Sequence, residues 1–476
     1  MPTMLDSTPP VITKFVNGYL LRNGQLVEGD LWISSATGRI LDSQSTFYAS
    51  HIKPDQTIDL EGKILSPGFI DTQLNGGHGF DFSIPEPDFA TKLADTNRRF
   101  AAAGVTSYLP TVISQKASVY QSVLPYLGPS RSDRDPSNGA ESLGAHVEGP
   151  FLAPCRNGIH NKSILVRAKS WSDVEEVYGS DNLNSGTIRK VTAAPELGNM
   201  TALIPEFTSR GIVFSMGHSD ADLAQASDAI AAGATMVTHM FNAMRPFGHR
   251  DPGIFGLLGF PPSRPGTPTA SRPQSRHNSH PPSPALSSKR DTPRSSLSIS
   301  STPDDDDFCA SPTQQKKRPT LPLPTSPQPW FGLISDGVHL SPASLKIAYS
   351  AFPAGAILVT DALSFAGLPD GVYKWTNGDE VVKKGPEIRG KASGRLAGVA
   401  VSLIDCVNNF RDFTGCGTAA ALEAVTSHPA RMLGEDVASR KGALDVGMDA
   451  DLVMLSGGEG EALKVEGVWK FGVRVA

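Results

Sequence analysis

The sequence predicts an α/β protein: a (β/α)8 TIM barrel with a small β-sandwich formed from both chain termini. Two observations predict the barrel. Short apolar runs rich in β-branched residues alternate with longer stretches of helical periodicity, and eight such units follow one another. A third observation predicts the sandwich, because residues 11–66 and 440–476 contain short strands and turns that are too few to form a core alone. We therefore predict a composite terminal domain over 11–66 and 440–476 and a barrel domain over 67–439.

The eight predicted strands share an apolar body and a polar C-terminal end. They are residues 64–76, 105–114, 142–152, 188–197, 211–219, 235–244, 331–340 and 356–367. In a TIM barrel the catalytic groups lie where the strands end, on one face. The polar residues at these ends are Gln73, Asn75, Glu148, His218, His239, Asp336, His339 and Asp361. One such residue is more often structural, but their convergence on one face indicates a catalytic site.

One segment differs in composition from the rest of the chain. Residues 261–329 contain 16 of the 38 Pro and also 14 Ser. Such a segment cannot bury enough apolar surface to offset the entropy of ordering it, so we predict a disordered insertion before the seventh barrel strand. Its Ser-Pro and Thr-Pro pairs suit a proline-directed kinase, and the basic run 316–318 suits a docking partner. The alternative is a tolerated surface-loop insertion without a function of its own.

The overall composition argues against several classes of partner. A formal net charge of -5 provides no basic surplus for nucleic acid or an anionic membrane. No stretch approaches the ~20 apolar residues of a membrane span. The four Cys form neither a CxxC pair nor a disulfide framework, and no signal peptide is recognisable. We expect a cytoplasmic protein that binds neither nucleic acid nor membrane.

Seven short motifs, in order along the chain, match one known family. They are PGFIDTQLNGG, HVEGPFL, GIHN, MGHS, THMFNAM, SDGVH and VTDA. Together they resemble the N-acetylglucosamine-6-phosphate deacetylases of the amidohydrolase superfamily. The resemblance covers nearly the whole chain apart from 261–329 and the extreme N-terminus. It implies the same fold, a (β/α)8 barrel beside a β-sandwich made from both termini.

Three of the strand-end residues suit a catalytic metal. Glu148, His218 and His239 offer one carboxylate and two imidazoles from three strands, which fits a divalent cation with one position open for water. The resemblance assigns them the same role; the alternative is that the two His are buried, hydrogen-bonded barrel residues. Because Gln73 and Asn75 replace the His-x-His of binuclear relatives, we expect one divalent metal ion per subunit. Zn²⁺ is the first expectation, with Fe²⁺, Mn²⁺ and Co²⁺ as alternatives.

Asp361, at the end of the last strand, is the candidate general base and acid. It would take a proton from the metal-bound water and later deliver it to the departing amine. The alternative is an Asp that only caps the following helix. The resemblance implies hydrolysis of N-acetyl-D-glucosamine 6-phosphate to D-glucosamine 6-phosphate and acetate by metal-bound hydroxide.

The resemblance also implies a set of substrate contacts. The 6-phosphate is expected to bind the backbone N–H groups of Asn242 and Ala243 with the side chains of Arg250 and His339. The family contributes this Arg across a subunit interface, which implies a homodimer. His160 is expected to contact the acetamide and polarise its carbonyl.

A second part of the resemblance concerns the sugar pocket, which Leu396, Ala397 and Gly398 are expected to line. Ala397 stands where the family has Ser. Two other functions remain open from the residues: another amidohydrolase, acting on a cyclic amide or a dipeptide, or a catalytically idle scaffold with a regulatory disordered loop.

Overall fold

A computed structural model describes residues 12–49, 51–130, 134–259, 328–375 and 380–476. Its centre is a parallel sheet of eight barrel strands, which we number β1–β8 and which pair in the order of the sequence. They are β1 Phe69–Leu74, β2 Val105–Ile113, β3 Ala145–Glu148, β4 Ile188–Ala193, β5 Val213–Met216, β6 Met236–Val237, β7 Trp330–Ile334 and β8 Ala356–Val359. The predicted barrel is confirmed, although the predicted segments ran too far into the loops that follow the strands.

The barrel closes where the end of β8 meets the end of β1. The N–H of Asp361 donates to the carbonyl of Gln73 at 2.9 Å, and the N–H of Asn75 donates to the carbonyl of Ala362 at 3.0 Å. These bonds lie just beyond β8, on the face where the strands end. Closure therefore places Asp361 beside Gln73 of β1 and Asn75, the residue that follows the strand.

Helices surround the barrel, and their ends follow ordinary capping chemistry. In the helix Leu223–Ala232, Asp222 accepts a hydrogen bond from the N–H of Gln225, and Gly233 ends the helix with a φ of 115°. The helices of the described residues are Phe89–Ala102, Ala117–Leu127, Trp171–Tyr178, Ser180–Asn184, Met200–Ser209, Leu223–Ala232, Pro342–Ala351, Leu403–Thr414, Thr418–Glu423, Ser427–Leu433 and Glu435–Ala438. In the described part of the chain, none of them has the length and apolarity needed to cross a bilayer.

Both chain ends contribute to one further sheet. Its strands are Ile12–Arg22, Gln25–Ser34, Arg39–Leu41, Gln56–Asp59, Ile64–Pro67, Leu452–Ser456, Lys464–Lys470 and Val473–Arg474. The two halves join where Ile64–Pro67 pairs antiparallel with Leu452–Ser456. They enclose an apolar core in which the rings of Phe15 and Trp469 lie 5.0 Å apart, edge to face. The domain limits 11–66, 67–439 and 440–476 remain predictions, and most of the insertion 261–329 lies outside the described residues.

A third sheet, which the sequence analysis did not anticipate, follows β8. Its four antiparallel strands are Gly371–Lys374, Glu380–Lys384, Glu387–Gly390 and Leu396–Val399. The N–H of Leu363 donates to the carbonyl of Val399 at 3.0 Å, which fixes the last strand to the chain leaving β8. The third sheet therefore lies at the face where the barrel strands end and forms one side of it. Two short ladders complete the described strands: Gly76–Gly77 with Phe80–Asp81, and Glu141–Ser142 beside β2.

Candidate active site

One cavity opens at the C-terminal ends of the barrel strands, and it gathers nearly all the predicted site residues. Those that line it are Glu148, His160, His218, His239, Asn242, Ala243, His339, Asp361, Leu396, Ala397 and Gly398. Arg250 is exposed and does not line the cavity of its own chain. The cavity also contains side chains that the sequence analysis did not select, among them the apolar Ile113, Ile334 and Leu363.

The three predicted metal ligands converge on one point. Glu148 Oε1 lies 3.2 Å from His218 Nε2 and 2.9 Å from His239 Nε2, and the two Nε2 atoms are 3.1 Å apart. All three side chains are buried. These spacings are close to those of ligand atoms about 2.0–2.2 Å from a shared tetrahedral metal.

The outer hydrogen bond of His218 fits a metal site. His218 Nδ1 lies 2.8 Å from the carbonyl oxygen of Arg156, and this oxygen can only accept, so Nδ1 carries the proton. In the neutral ring, His218 Nε2 then presents a lone pair to Glu148 and His239. Lone pairs at this distance repel unless a proton on His239 Nε2 or a metal ion lies between them. The residues thus fit a divalent cation, and the outer bond to Arg156 orients the ring as outer partners of metal ligands do.

The pKa of Glu148 agrees with this arrangement. Burial favours the neutral carboxylic acid, but His218 and His239, when protonated, outweigh burial through their hydrogen bonds and charge and hold the pKa of Glu148 well below its usual range, and a cation at the same point would act in the same direction. Gln73 Nε2 also donates to Glu148 Oε1 at 3.1 Å. The carboxylate is therefore ionised and oriented from two sides.

His160 lies beside this cluster but has a different protonation. A ligand atom of His160 lies within 4.8 Å of those of Glu148 and His218. However, the backbone N–H of Ser114 donates to His160 Nδ1 at 3.2 Å, so Nδ1 must accept and the proton of the neutral ring lies on Nε2. Burial, with repulsion from His218, lowers the pKa of His160 to about 3. His160 is therefore a neutral hydrogen-bond donor rather than a metal ligand.

Asp361 is held by the neighbouring amide of Asn75. Asn75 Nδ2 donates to Asp361 Oδ1 at 2.8 Å, and its own Oδ1 is buried with no partner among the described residues. Burial, followed by repulsion from Glu148, raises the pKa of Asp361 above its usual range. A carboxylate with a raised pKa beside a candidate metal site is the arrangement expected of a proton acceptor.

Three of these residues share an unusual backbone conformation. The φ angles are 48° at His218, 27° at His239 and 48° at Asp361. Residues with a Cβ rarely adopt positive φ, which costs about 1–3 kcal/mol at each position. The chain turns sharply as it leaves β5, β6 and β8, and the site therefore concentrates backbone strain that the surrounding barrel must support.

The predicted phosphate-binding residues Asn242, Ala243 and His339 line the same cavity. The backbone N–H of Asn242 already donates to the carbonyl of His239 at 2.9 Å, whereas its side-chain Nδ2 is buried with no partner among the described residues. Asn242 nevertheless lines the cavity. His339 Nδ1 lies 2.7 Å from Asp336 Oδ2, which fixes its ring. Burial opposes ionisation of Asp336, but the His339 hydrogen bond outweighs it, so the pKa of Asp336 is lowered.

The third sheet supplies the predicted sugar wall. At Gly398 φ is 154°, and a Cβ built there would lie 2.5 Å from the Leu363 side chain, so only glycine fits. Ala397 is buried at 5% exposure and packs with Leu363. Leu363 carried no sequence signal, because only the pairing of the third sheet with the chain after β8 brings it to the cavity.

Comparison with known proteins places the chain among relatives of one kind. It is 36% identical over 458 residues to the N-acetylglucosamine-6-phosphate deacetylase of Danio rerio, with 96% of this chain and 95% of that protein covered. It is 38% identical over 449 residues to that of Bos taurus, with 94% and 92% covered. The fold matches the N-acetylglucosamine-6-phosphate deacetylase structure from Pasteurella multocida with a TM-score of 0.71 at 23% identity, covering 97% of this chain and 99% of that one.

No family model matched the chain in a separate scan. The relatives at 36% and 38% identity nevertheless match the chain over both the barrel and the terminal sheet. The chain belongs to the N-acetylglucosamine-6-phosphate deacetylase family.

Proposed function

We propose that this protein hydrolyses N-acetyl-D-glucosamine 6-phosphate to D-glucosamine 6-phosphate and acetate. One observation carries the proposal: the Glu148, His218 and His239 ligand atoms converge in the same cavity as an Asp361 that an amide side chain orients. Hydrolysis of an unactivated amide needs both an activated water and a proton donor for the amine, and this cavity provides for both.

Glu148, His218 and His239 would hold one divalent metal ion per subunit, which we propose to be Zn²⁺, with Fe²⁺, Mn²⁺ and Co²⁺ as alternatives. A divalent cation bound there lowers the pKa of water toward ~7 and polarises a carbonyl oxygen. Gln73 and Asn75 are amides, which are poor ligands for such ions, and both already donate to the carboxylates of the site. These hydrogen bonds support a site for a single ion.

The proton transfers are assigned to Asp361. Because Asn75 binds Asp361 Oδ1, the other oxygen of the carboxylate is available to take a proton from the attacking water. Asp361 then delivers this proton to the departing amine, which leaves poorly unless it is protonated. His160 donates from Nε2 to the acetamide oxygen, where negative charge develops during attack. The fixed neutral tautomer of His160 supports this role, because the donor is in place before the substrate binds.

Substrate recognition is assigned to the rest of the cavity. Asn242, Ala243 and His339 would bind the 6-phosphate, and Leu396, Ala397 and Gly398 would contact the sugar. Arg250 is exposed and lies outside the cavity of its own chain, which supports its contribution to the phosphate site of a partner subunit in a homodimer.

We further propose that the protein acts in the cytoplasm on a small amino sugar phosphate. A kinase or docking partner would act on the 261–329 insertion, whose composition suits both. Such a partner would leave the catalytic assignments above unchanged.

An assay of acetate release tests the proposed reaction. We would compare N-acetylglucosamine 6-phosphate with unphosphorylated N-acetylglucosamine, each with and without a chelator that removes divalent metals. We expect fast release from the phosphorylated sugar alone, and its loss with the chelator. Equal rates on the two sugars would refute the phosphate site, and no release from either would refute the proposed deacetylation.

A further inference from the structure

Lys190 lies inside the barrel, and the proposed reaction assigns it no role. On β4 the side chains alternate: Arg189 points outward to the Leu433 carbonyl and to Asp436, whereas Lys190 points inward and is fully buried. Lysine is almost never fully buried without a partner, because removing its charge from water is costly. Its position therefore calls for a physical reason.

Lys190 makes a hydrogen bond across the barrel. Its Nζ donates to the carbonyl oxygen of Thr72 on β1 at 2.8 Å, although β2 and β3 separate β4 from β1 in the sheet. Thr72 directly precedes Gln73, whose side chain donates to Glu148 and whose carbonyl accepts the N–H of Asp361. The segment that Lys190 holds thus lies between the carboxylate of the metal site and the candidate general base.

The charge on Lys190 also faces the carboxylates of the site. Burial lowers the pKa of Lys190 to about 8, while attraction from Glu148, Asp71 and Asp361 opposes that decrease. Lys190 therefore remains mostly charged at neutral pH. Its neighbour on β3, His146, contributes no charge, because burial and repulsion from Lys190 hold the pKa of His146 well below its usual range.

We propose that Lys190 is a positioning residue for the deacetylation, and this inference rests on the proposed function. Its ammonium holds the end of β1 from inside the barrel and offsets the negative charge of Glu148 and Asp361. Without the ammonium of Lys190, the metal alone would offset the negative charge of these carboxylates, in surroundings of low dielectric constant where charges interact strongly. The proposed substrate contacts lie on loops other than the one after β1. Loss of the Lys190 ammonium should therefore affect turnover more than substrate binding.

Two uncharged variants and one matched control test this role. Lys190→Met keeps the length of the side chain, and Lys190→Gln keeps a hydrogen-bond donor without the charge. Arg189→Met removes the adjacent basic residue of the same strand, which faces away from the site. Each protein would be purified with its metal, checked for folding by circular dichroism, and assayed for kcat and KM with N-acetylglucosamine 6-phosphate, with kcat expressed per bound metal ion.

We expect both Lys190 variants to lose kcat at least tenfold with KM changed by less than about threefold, and Arg189→Met to keep kcat within about twofold. A Lys190 variant with normal kcat per metal-loaded site would overturn the inference. If neither uncharged variant folds, Lys190→Arg, which keeps the positive charge, is the deciding variant. A kcat within about threefold of wild type supports a role for the charge at position 190. A decrease in kcat of more than a hundredfold in folded, metal-loaded protein refutes it. Inactive wild-type enzyme would instead refute the proposed deacetylation itself.

Discussion

Asn75 Nδ2 donates to Asp361 Oδ1 at 2.8 Å and reaches the Asp361 backbone carbonyl at 3.3 Å. The amide of Asn75, just after β1, thus binds both the side chain and the backbone of Asp361, just after β8. The neighbouring amide of Gln73 makes the equivalent contact with Glu148 at 3.1 Å. Gln73 and Asn75 therefore bind different carboxylates, Gln73 that of the candidate metal site and Asn75 that of the proposed general base.

Replacing Asn75 by Leu, which has a similar size, should lower kcat by about ten- to hundredfold. A hydrogen bond to a charged group contributes about 1.5–3 kcal/mol, and each ~1.4 kcal/mol corresponds to a tenfold change in rate. Metal content should stay normal, because Asn75 contacts Asp361 and not the metal ligands. Steady-state kinetics and metal analysis of the same preparation measure both quantities.

The matched control is Gln73→Leu, which should mainly weaken metal binding, by about ten- to hundredfold as is typical for partners of metal ligands. Competition with a chelator measures this affinity. If the two variants show the same defect, the separation of roles between Asn75 and Gln73 is wrong.

Replacing Asp361 by Asn should keep the metal but lower kcat by about 10²–10⁴-fold, the usual contribution of a general acid or base. The substitution preserves size and suits the positive φ of 48° at this position, since Asn adopts that conformation more readily than most residues. Folding should therefore be unaffected. Near-normal turnover by the purified, metal-loaded variant would show that another group transfers the proton.

Replacing Arg250 by Ala should raise KM for N-acetylglucosamine 6-phosphate about tenfold or more and change kcat little. The reason is that loss of a charge-assisted contact with phosphate weakens binding before and during the reaction alike. The unphosphorylated sugar provides the control, because Arg250 has no phosphate to bind there and the variant should match the wild type. An unchanged KM for the phosphorylated sugar would identify Arg250 as an ordinary surface residue.

The parts of this site that the sequence predicted are those that follow a strand directly. Glu148, His218 and Asp361 each end a short apolar run, and the barrel brings strand ends together whatever the intervening loops contain. The predicted segments ran too long because apolar residues continue past the strands, as in Leu363 and Phe365, which pack in the third sheet.

Other contacts depend on the three-dimensional arrangement and leave no local pattern. Ser114 was missed because it binds His160 through its backbone N–H, a group that every residue except Pro has. Lys190 was missed because Arg189 and Lys190 form a basic pair in the sequence, and only the pleat of β4 shows that one is outside and the other inside. The backbone bond of Asn242 to His239 likewise follows from the turn after β6.

A buried ion-pair cluster joins the barrel to the terminal sheet and should determine how stability depends on pH. Lys441 Nζ lies 2.6 Å from Asp451 Oδ2 and 2.8 Å from Glu141 Oε2, and Lys470 Nζ lies 2.7 Å from the same Asp451 oxygen. Their side chains are at most 5% exposed. Burial opposes the ionisation of Glu141 and Asp451, but the two lysines outweigh it and lower the pKa of both.

A carboxylate whose pKa is lower in the folded state stabilises the protein above its unfolded pKa, which is about 4. This stabilisation is lost as pH falls through the folded value. We therefore expect the free energy of unfolding to fall steeply below pH ~4. In Glu141→Gln the slope should be shallower, and stability at pH 7 should be lower by about 1.5–3 kcal/mol, because Lys441 and Lys470 each lose one charged hydrogen-bond partner and keep Asp451.

Urea unfolding at pH 7, 4 and 3 measures both effects. Glu380→Gln, which breaks the exposed pair with Lys391, is the control and should leave stability almost unchanged at each pH. If the free energy of unfolding falls equally steeply with acid in wild type and in Glu141→Gln, other carboxylates govern acid unfolding. The cluster between the barrel and the terminal sheet would then not determine how stability depends on pH.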